Sequence, residues 1–77
     1  NAICPGLIAT AIWEKDRANV PGLSELLEDR IALKRWGFGD DVADVVLFFA
    51  SDASRYMTGE VVAVDGGMAR VNSPSRL

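Results

Sequence analysis

NAICPGLIAT, residues 1–10, governs how the rest of the chain is read. Asn1 to Cys4 read as a short apolar strand. Pro5 has no backbone N–H and is expected to end sheet pairing, while Gly6 is free to take a positive φ. No turn or cap precedes the strand, so it reads as the tail of a longer one. Taken alone, Pro5-Gly6 is an ordinary strand-ending turn, and Thr10 suits a helix N-cap, a ligand contact or both.

Outward from this stretch, Thr10 to about Arg17 is expected to form a short helix with Ile12 and Trp13 as its apolar side. NVPG, at Asn19 to Gly22, is a turn signal. A second helix is expected from about Ser24 to Lys34, spaced by Leu23, Leu26, Leu27, Ile31 and Lys34. Ser24 is its N-cap, and Glu25 lies where the helix dipole favours an acid. Gly37 and Gly39 then break the chain around Trp36 and Phe38. A third helix is expected from about Asp40 to Ser51, with Asp40, Asp41 and Asp44 near its start. Val42, Val45, Val46, Phe49 and Ala50 form an apolar face that Leu47 and Phe48 widen, which predicts burial on most sides.

Thr58-Gly59 is a turn, and EVVAVD, Glu60 to Asp65, is a strand. Its unbroken apolar run suits a parallel strand covered on both faces. Gly66-Gly67 ends it, and residues 69–77 are expected to be a flexible tail. Strand, helices, strand in this order predict an α/β fold, a right-handed parallel βαβ unit. Two strands cannot cover both of their own faces, so the unit reads as the edge of a larger sheet.

Composition narrows the chemistry. The 77 residues are 49% hydrophobic and 25% charged, which fits one small globular domain. With one cysteine and no histidine, no internal disulfide, usual zinc ligand set, or Cys–His or Ser–His–Asp nucleophile can be assembled. Cys4 is expected to be a small buried residue at a strand end, and a lone cysteine suits a cytoplasmic protein. The net charge is −3 with no Lys/Arg cluster, which argues against nucleic acid as a partner. VVLFFA, the longest apolar run, is too short to span a bilayer, so no membrane partner is expected. There is neither a secretory leader nor an initiating methionine, as processing or truncation would leave it.

Together with NAICPGLIAT, the stretch KRWGFGDDVADVVLFFASDASRYMTGEVVAVDGG, residues 34–67, resembles the C-terminal part of a short-chain dehydrogenase/reductase. The resemblance runs from Asn1 to about Met68. It implies the C-terminal βαβ portion of a Rossmann-type doubly wound parallel sheet, with residues 1–77 as part of one NAD(P)-binding domain. It implies NAD or NADP as cofactor, and hydride transfer to or from a small carbonyl or alcohol substrate. Ligands in such sheets bind beyond the carboxyl ends of strands, where this loop lies.

The cofactor-binding residues implied are Pro5 and Gly6, which make the bend, and Ile8 and Thr10. A backbone group of Ile8 and the hydroxyl of Thr10 would meet the nicotinamide carboxamide, which needs both a donor and an acceptor. Thr10 to about Leu33 would be the substrate lid, its mixed apolar character suiting a partly apolar substrate. The third helix and Glu60 to Asp65 would form a homo-oligomer surface, for a dimer or tetramer.

The family's catalytic serine, Tyr-x-x-x-Lys pair, catalytic asparagine and glycine-rich turn would all lie upstream of Asn1. No catalytic residue is therefore expected among these 77, which alone should be inactive. Tyr56 is followed by MTGE and has no lysine four positions on. Gly39 departs from the family's GxPEEVA pattern by replacing its proline, which is expected to loosen the helix entrance. The three aspartates there read as helix-start acids rather than a metal site. Trp13, Trp36 and Phe38 are expected to serve packing, Trp13 having the best claim on a substrate. A competing reading is a non-catalytic α/β binding or interaction module derived from this fold.

Overall fold

The computed structural model describes residues 1–70; residues 71–77, most of the expected tail, lie outside the described residues. The elements are β1 (Ala2–Pro5), α1 (Ala11–Asn19), α2 (Leu23–Asp29), α3 (Gly39–Ala50), a 3₁₀ turn (Asp52–Ser54) and β2 (Val61–Val64). β1 and β2 pair in parallel, with Ala2 opposite Val61 and Pro5 opposite Val64. The fold is thus α/β, with its crossover running through three helices.

Pro5 belongs to the strand, contrary to expectation. The pairing is continued by Gly6, whose N–H donates to the Val64 carbonyl at 3.0 Å, as Ala2 does to Glu60 at 2.8 Å. In a parallel ladder alternate residues face the partner, so the donor that proline lacks falls on the opposite edge of β1. Asn1 lies just before the strand. Its side chain accepts from the Glu60 N–H at 3.0 Å and donates to the Met57 carbonyl at 3.3 Å, fixing the turn that leads into β2.

The second helix is shorter than its periodicity predicts. It starts after Gly22, which caps it at φ 78°, and stops at Asp29 instead of reaching Lys34. Lys34 sits at φ 57°. Residues 30–37 are drawn away by tertiary contacts: the Leu33 N–H donates to the Gly66 carbonyl at 3.1 Å, and Ile31 is only 2% exposed. Burial and long-range bonding outweigh a helical pattern in so short a stretch.

Packing is one-sided. α3 lies against β1 and β2, half-burying Val42, Val45 and Phe49. Val46, Leu47 and Phe48 remain exposed, so the expected burial on most sides does not hold among the described residues. β2 likewise alternates: Val62 and Val64 are half-buried, while Val61 is 65% exposed. Cys4, expected to be buried, is exposed. α1 and α2 touch each other but neither strand nor α3.

Trp36, 4% exposed, anchors this helix pair. Its ring meets Trp13 edge-on at 5.4 Å between centroids, and the Arg17 guanidinium stacks 4.6 Å from its centroid. Its indole N–H donates to the Ser24 carbonyl at 3.4 Å. Phe38, expected to pack, is exposed.

Candidate functional site at the carboxyl ends of the strands

Beyond β1 the chain bends at Leu7 and reaches Ile8. There it forms a parallel bridge to Gly37. The Ala9 N–H donates to the Gly37 carbonyl at 2.8 Å, and the Gly37 N–H donates to the Leu7 carbonyl at 2.9 Å. The neighbours of Ile8 make these bonds, so its own N–H and C=O project from the opposite edge. Neither makes a hydrogen bond to another described residue. Ile8 is half-buried, and its one donor and one acceptor stand side by side without a partner among the described residues.

Thr10 takes the N-cap backbone of α1, as its residue type suggests. Its carbonyl accepts from the N–H groups of Trp13 and Glu14, at 3.0 and 3.1 Å. The hydroxyl, however, makes no capping bond. Two residues along the chain from Ile8, an exposed hydroxyl is therefore uncommitted among the described residues.

Gly6 holds its place for a different reason from the one its sequence suggests. It does not use a positive φ. A Cβ built on it would lie 2.5 Å from the Asp65 Cβ and 2.8 Å from the Asp65 Cα. Glycine is needed because the chain leaving β2 crosses directly against it. Asp65 then turns the chain, its carboxylate accepting from the N–H groups of Gly67 and Ala69 at 2.9 and 3.2 Å. Gly66 and Gly67 take φ of 64° and 88°.

A cleft of about 160 Å³ opens between these two loops, with Ile8, Leu33, Arg35, Asp41, Val64 and Asp65 among its lining. Of the four residues expected to bind cofactor, it contains only Ile8. Pro5, Gly6 and Thr10 lie outside it, along the same stretch of chain.

The charged part of its wall did not emerge from the sequence. Arg35 donates to both carboxylate oxygens of Asp41, at 3.0 and 3.1 Å, and to the Trp36 carbonyl at 3.0 Å. Asp41 also accepts from the Phe38 N–H at 2.7 Å, the acid half of a capping box. The Arg35 hydrogen bonds, and then the Phe38 N–H, lower the Asp41 pKa to about 2, while the bond to Asp41 raises that of Arg35. The helix entrance that Gly39 was expected to loosen is thereby braced. The acid at the third position of a helix after a Gly-x-Gly break was a signal for the cap; nothing local marked Arg35 as its partner.

A parallel strand pair, a helical crossover, and a loop with free polar groups beyond the first strand define an α/β protein of the Rossmann type. The chain belongs to the short-chain dehydrogenase/reductase family. A family model described as enoyl-(acyl carrier protein) reductase matches residues 1–69. The 3-oxoacyl-[acyl-carrier-protein] reductase FabG of Thermotoga maritima is 46% identical over 70 residues, which are 88% of this chain and 26% of that protein. A Burkholderia thailandensis oxidoreductase of the same family superposes with TM-score 0.82 at 38% identity, over 91% of this chain and 28% of its own. An Agrobacterium tumefaciens candidate 2-deoxy-D-gluconate 3-dehydrogenase, solved with bound NADP, gives TM-score 0.81 at 38% identity, over 90% and 28%. The chain thus spans about a quarter of the length of the relatives it matches.

Among the described residues no helix is long and apolar enough to cross a membrane, and no group of His, Cys, Asp and Glu side chains is placed to hold a metal ion.

Proposed function

We propose that this chain forms the nicotinamide side of an NAD- or NADP-dependent oxidoreductase that transfers hydride between its cofactor and a carbonyl or alcohol carbon. The observation that carries the reading is the pair of outward polar groups on Ile8, with the uncommitted hydroxyl of Thr10 two residues on. A primary carboxamide offers an N–H₂ donor and a carbonyl acceptor, the complement of one backbone C=O and one backbone N–H. Ile8 would hold the carboxamide by both groups, and Thr10 would add a third contact. Pro5 and Gly6 set the bend: one closes the far edge of β1 to pairing, the other lets β2 cross close by. When bound, the nicotinamide supplies the hydride acceptor or donor.

The chain's own residues would bind and orient the ring, exclude water and shape the substrate side. α1 and α2, anchored through Trp36, would be the substrate lid, facing a partly apolar carbonyl or alcohol compound. The exposed apolar flank of α3 and the neighbouring residues 60–65 would meet a second copy in a dimer or tetramer. A cytoplasmic location fits the exposed, unpaired Cys4. The catalytic acid–base groups would come from residues other than these.

The test is titration of the protein, expressed from its complete reading frame, with NADH and NADPH while nicotinamide fluorescence is followed. Saturable binding of one or both is expected, with turnover of a carbonyl substrate from a panel. Absence of binding to either would overturn the reading.

A further inference from the structure

Four hydrogen-bonded peptide planes lie between the Arg35–Asp41 ion pair and the polar edge of Ile8. Gly37 is flanked by two peptide groups, and each is gripped at both ends. In the Trp36–Gly37 peptide, the carbonyl accepts from Arg35 at 3.0 Å and the N–H donates to Leu7 at 2.9 Å. In the Gly37–Phe38 peptide, the N–H donates to Asp41 at 2.7 Å and the carbonyl accepts from Ala9 at 2.8 Å.

The next two planes carry the groups of interest. The Leu7–Ile8 peptide has its carbonyl on Gly37 and its N–H, that of Ile8, facing outward. The Ile8–Ala9 peptide has its N–H on Gly37 and its carbonyl, that of Ile8, facing outward. Because a peptide group is rigid and planar, fixing one end aims the other. Hydrogen bonds in series also polarise one another.

We infer that Arg35 and Asp41 are positioning residues for the nicotinamide: through Gly37 they aim the Ile8 N–H and C=O at the carboxamide. This rests on the cofactor reading above and extends it to two residues of the cleft wall that act through the backbone of Gly37. Arg35 and Asp41 side chains are 51% and 35% exposed, and ion pairs so open to water add little stability. What the fork of Arg35 supplies is orientation, since it holds both carboxylate oxygens and a backbone carbonyl at once. Gly37 is part of the device. A Cβ there would lie 2.7 Å from the Ile8 Cδ1, so a larger residue would have to push the tip of the Ile8 side chain aside.

The test compares R35M with wild type in the protein expressed from its complete reading frame. Both are titrated with NADH, NADPH and ADP-ribose, which carries the adenosine half of the cofactor without the nicotinamide. The Kd for the preferred reduced cofactor should rise about tenfold, the net worth of one aligned hydrogen bond, while that for ADP-ribose stays unchanged. R35K should recover part of the loss, because an ammonium cannot grip both oxygens in a fixed fork. If R35M does not fold by circular dichroism, D41N is read for the same split. R35M binding reduced cofactor as tightly as wild type overturns the inference. So does an equal loss for cofactor and ADP-ribose, which marks a merely structural pair. A wild type that binds neither NADH nor NADPH overturns the nicotinamide reading itself, a distinct result.

Discussion

At Gly6 the crossing of two chain ends leaves no room for a methyl group, since Asp65 fills the place where one would sit. Gly6→Ala should therefore destabilise the protein by about 1–3 kcal/mol, the usual range for overpacking, read as a lowered midpoint in urea or heat. The glycine was recognisable in the sequence, but its reason was not: the atom it avoids belongs to a residue 59 positions away. Asp41 gives a second residue-scale prediction. Its pKa is lowered from the usual carboxylate range to about 2, chiefly by Arg35. A depressed carboxylate pKa contributes stability above the unfolded value, and that contribution is lost as pH falls through the folded one. The stability difference between wild type and D41N should be constant from pH 8 to about pH 5, and close between about pH 4 and pH 2. A difference that instead changes around neutral pH would mean that another group controls the pair.

Among the elements, α1, α3 and both strands follow their local patterns to within a residue or two, because caps, acids and apolar runs mark them. The second helix does not. Its apolar spacing continued through Ile31, yet that side chain is spent on Gly66 and the chain leaves the helix to reach it. The same segment, residues 31–37, brackets the loops beyond β1 and β2, and nothing in its own sequence announces this. Gly39 offers a prediction at this scale. It is the first residue of α3, nothing crowds its missing Cβ, and Phe38 before it is extended at φ −118° and ψ 166°. That backbone suits a residue preceding proline, and proline is favoured at the first helical position. G39P should stabilise the protein by about 0.4–1 kcal/mol, seen as a raised thermal midpoint, by reducing the freedom of the unfolded chain. A lowered midpoint would show that the entrance needs the glycine.

On the scale of the molecule, Ile31 and Trp36 are the buried apolar residues among those described, while a flank of α3 and Val61 stay open. The α/β class and the parallel pairing were legible from NAICPGLIAT and EVVAVD, since strand ends and continuous apolar runs are local signals. The one-sided burial was not, because coverage depends on what lies opposite an element and not on its own residues. The relatives are about four times as long, and a sheet of their size has further elements to cover such faces. The candidate site was half legible: Ile8 and Thr10 came from the resemblance, whereas Gly37, Arg35 and Asp41 became visible only with the chain folded. The most direct measurement is reduced-cofactor affinity for wild type and T10V in the protein expressed from its complete reading frame, with ADP-ribose as control. Because the Thr10 hydroxyl caps nothing in α1, T10V should retain wild-type helicity and ADP-ribose binding, but bind NADH or NADPH about tenfold more weakly. Undiminished binding of reduced cofactor by T10V would contradict the account.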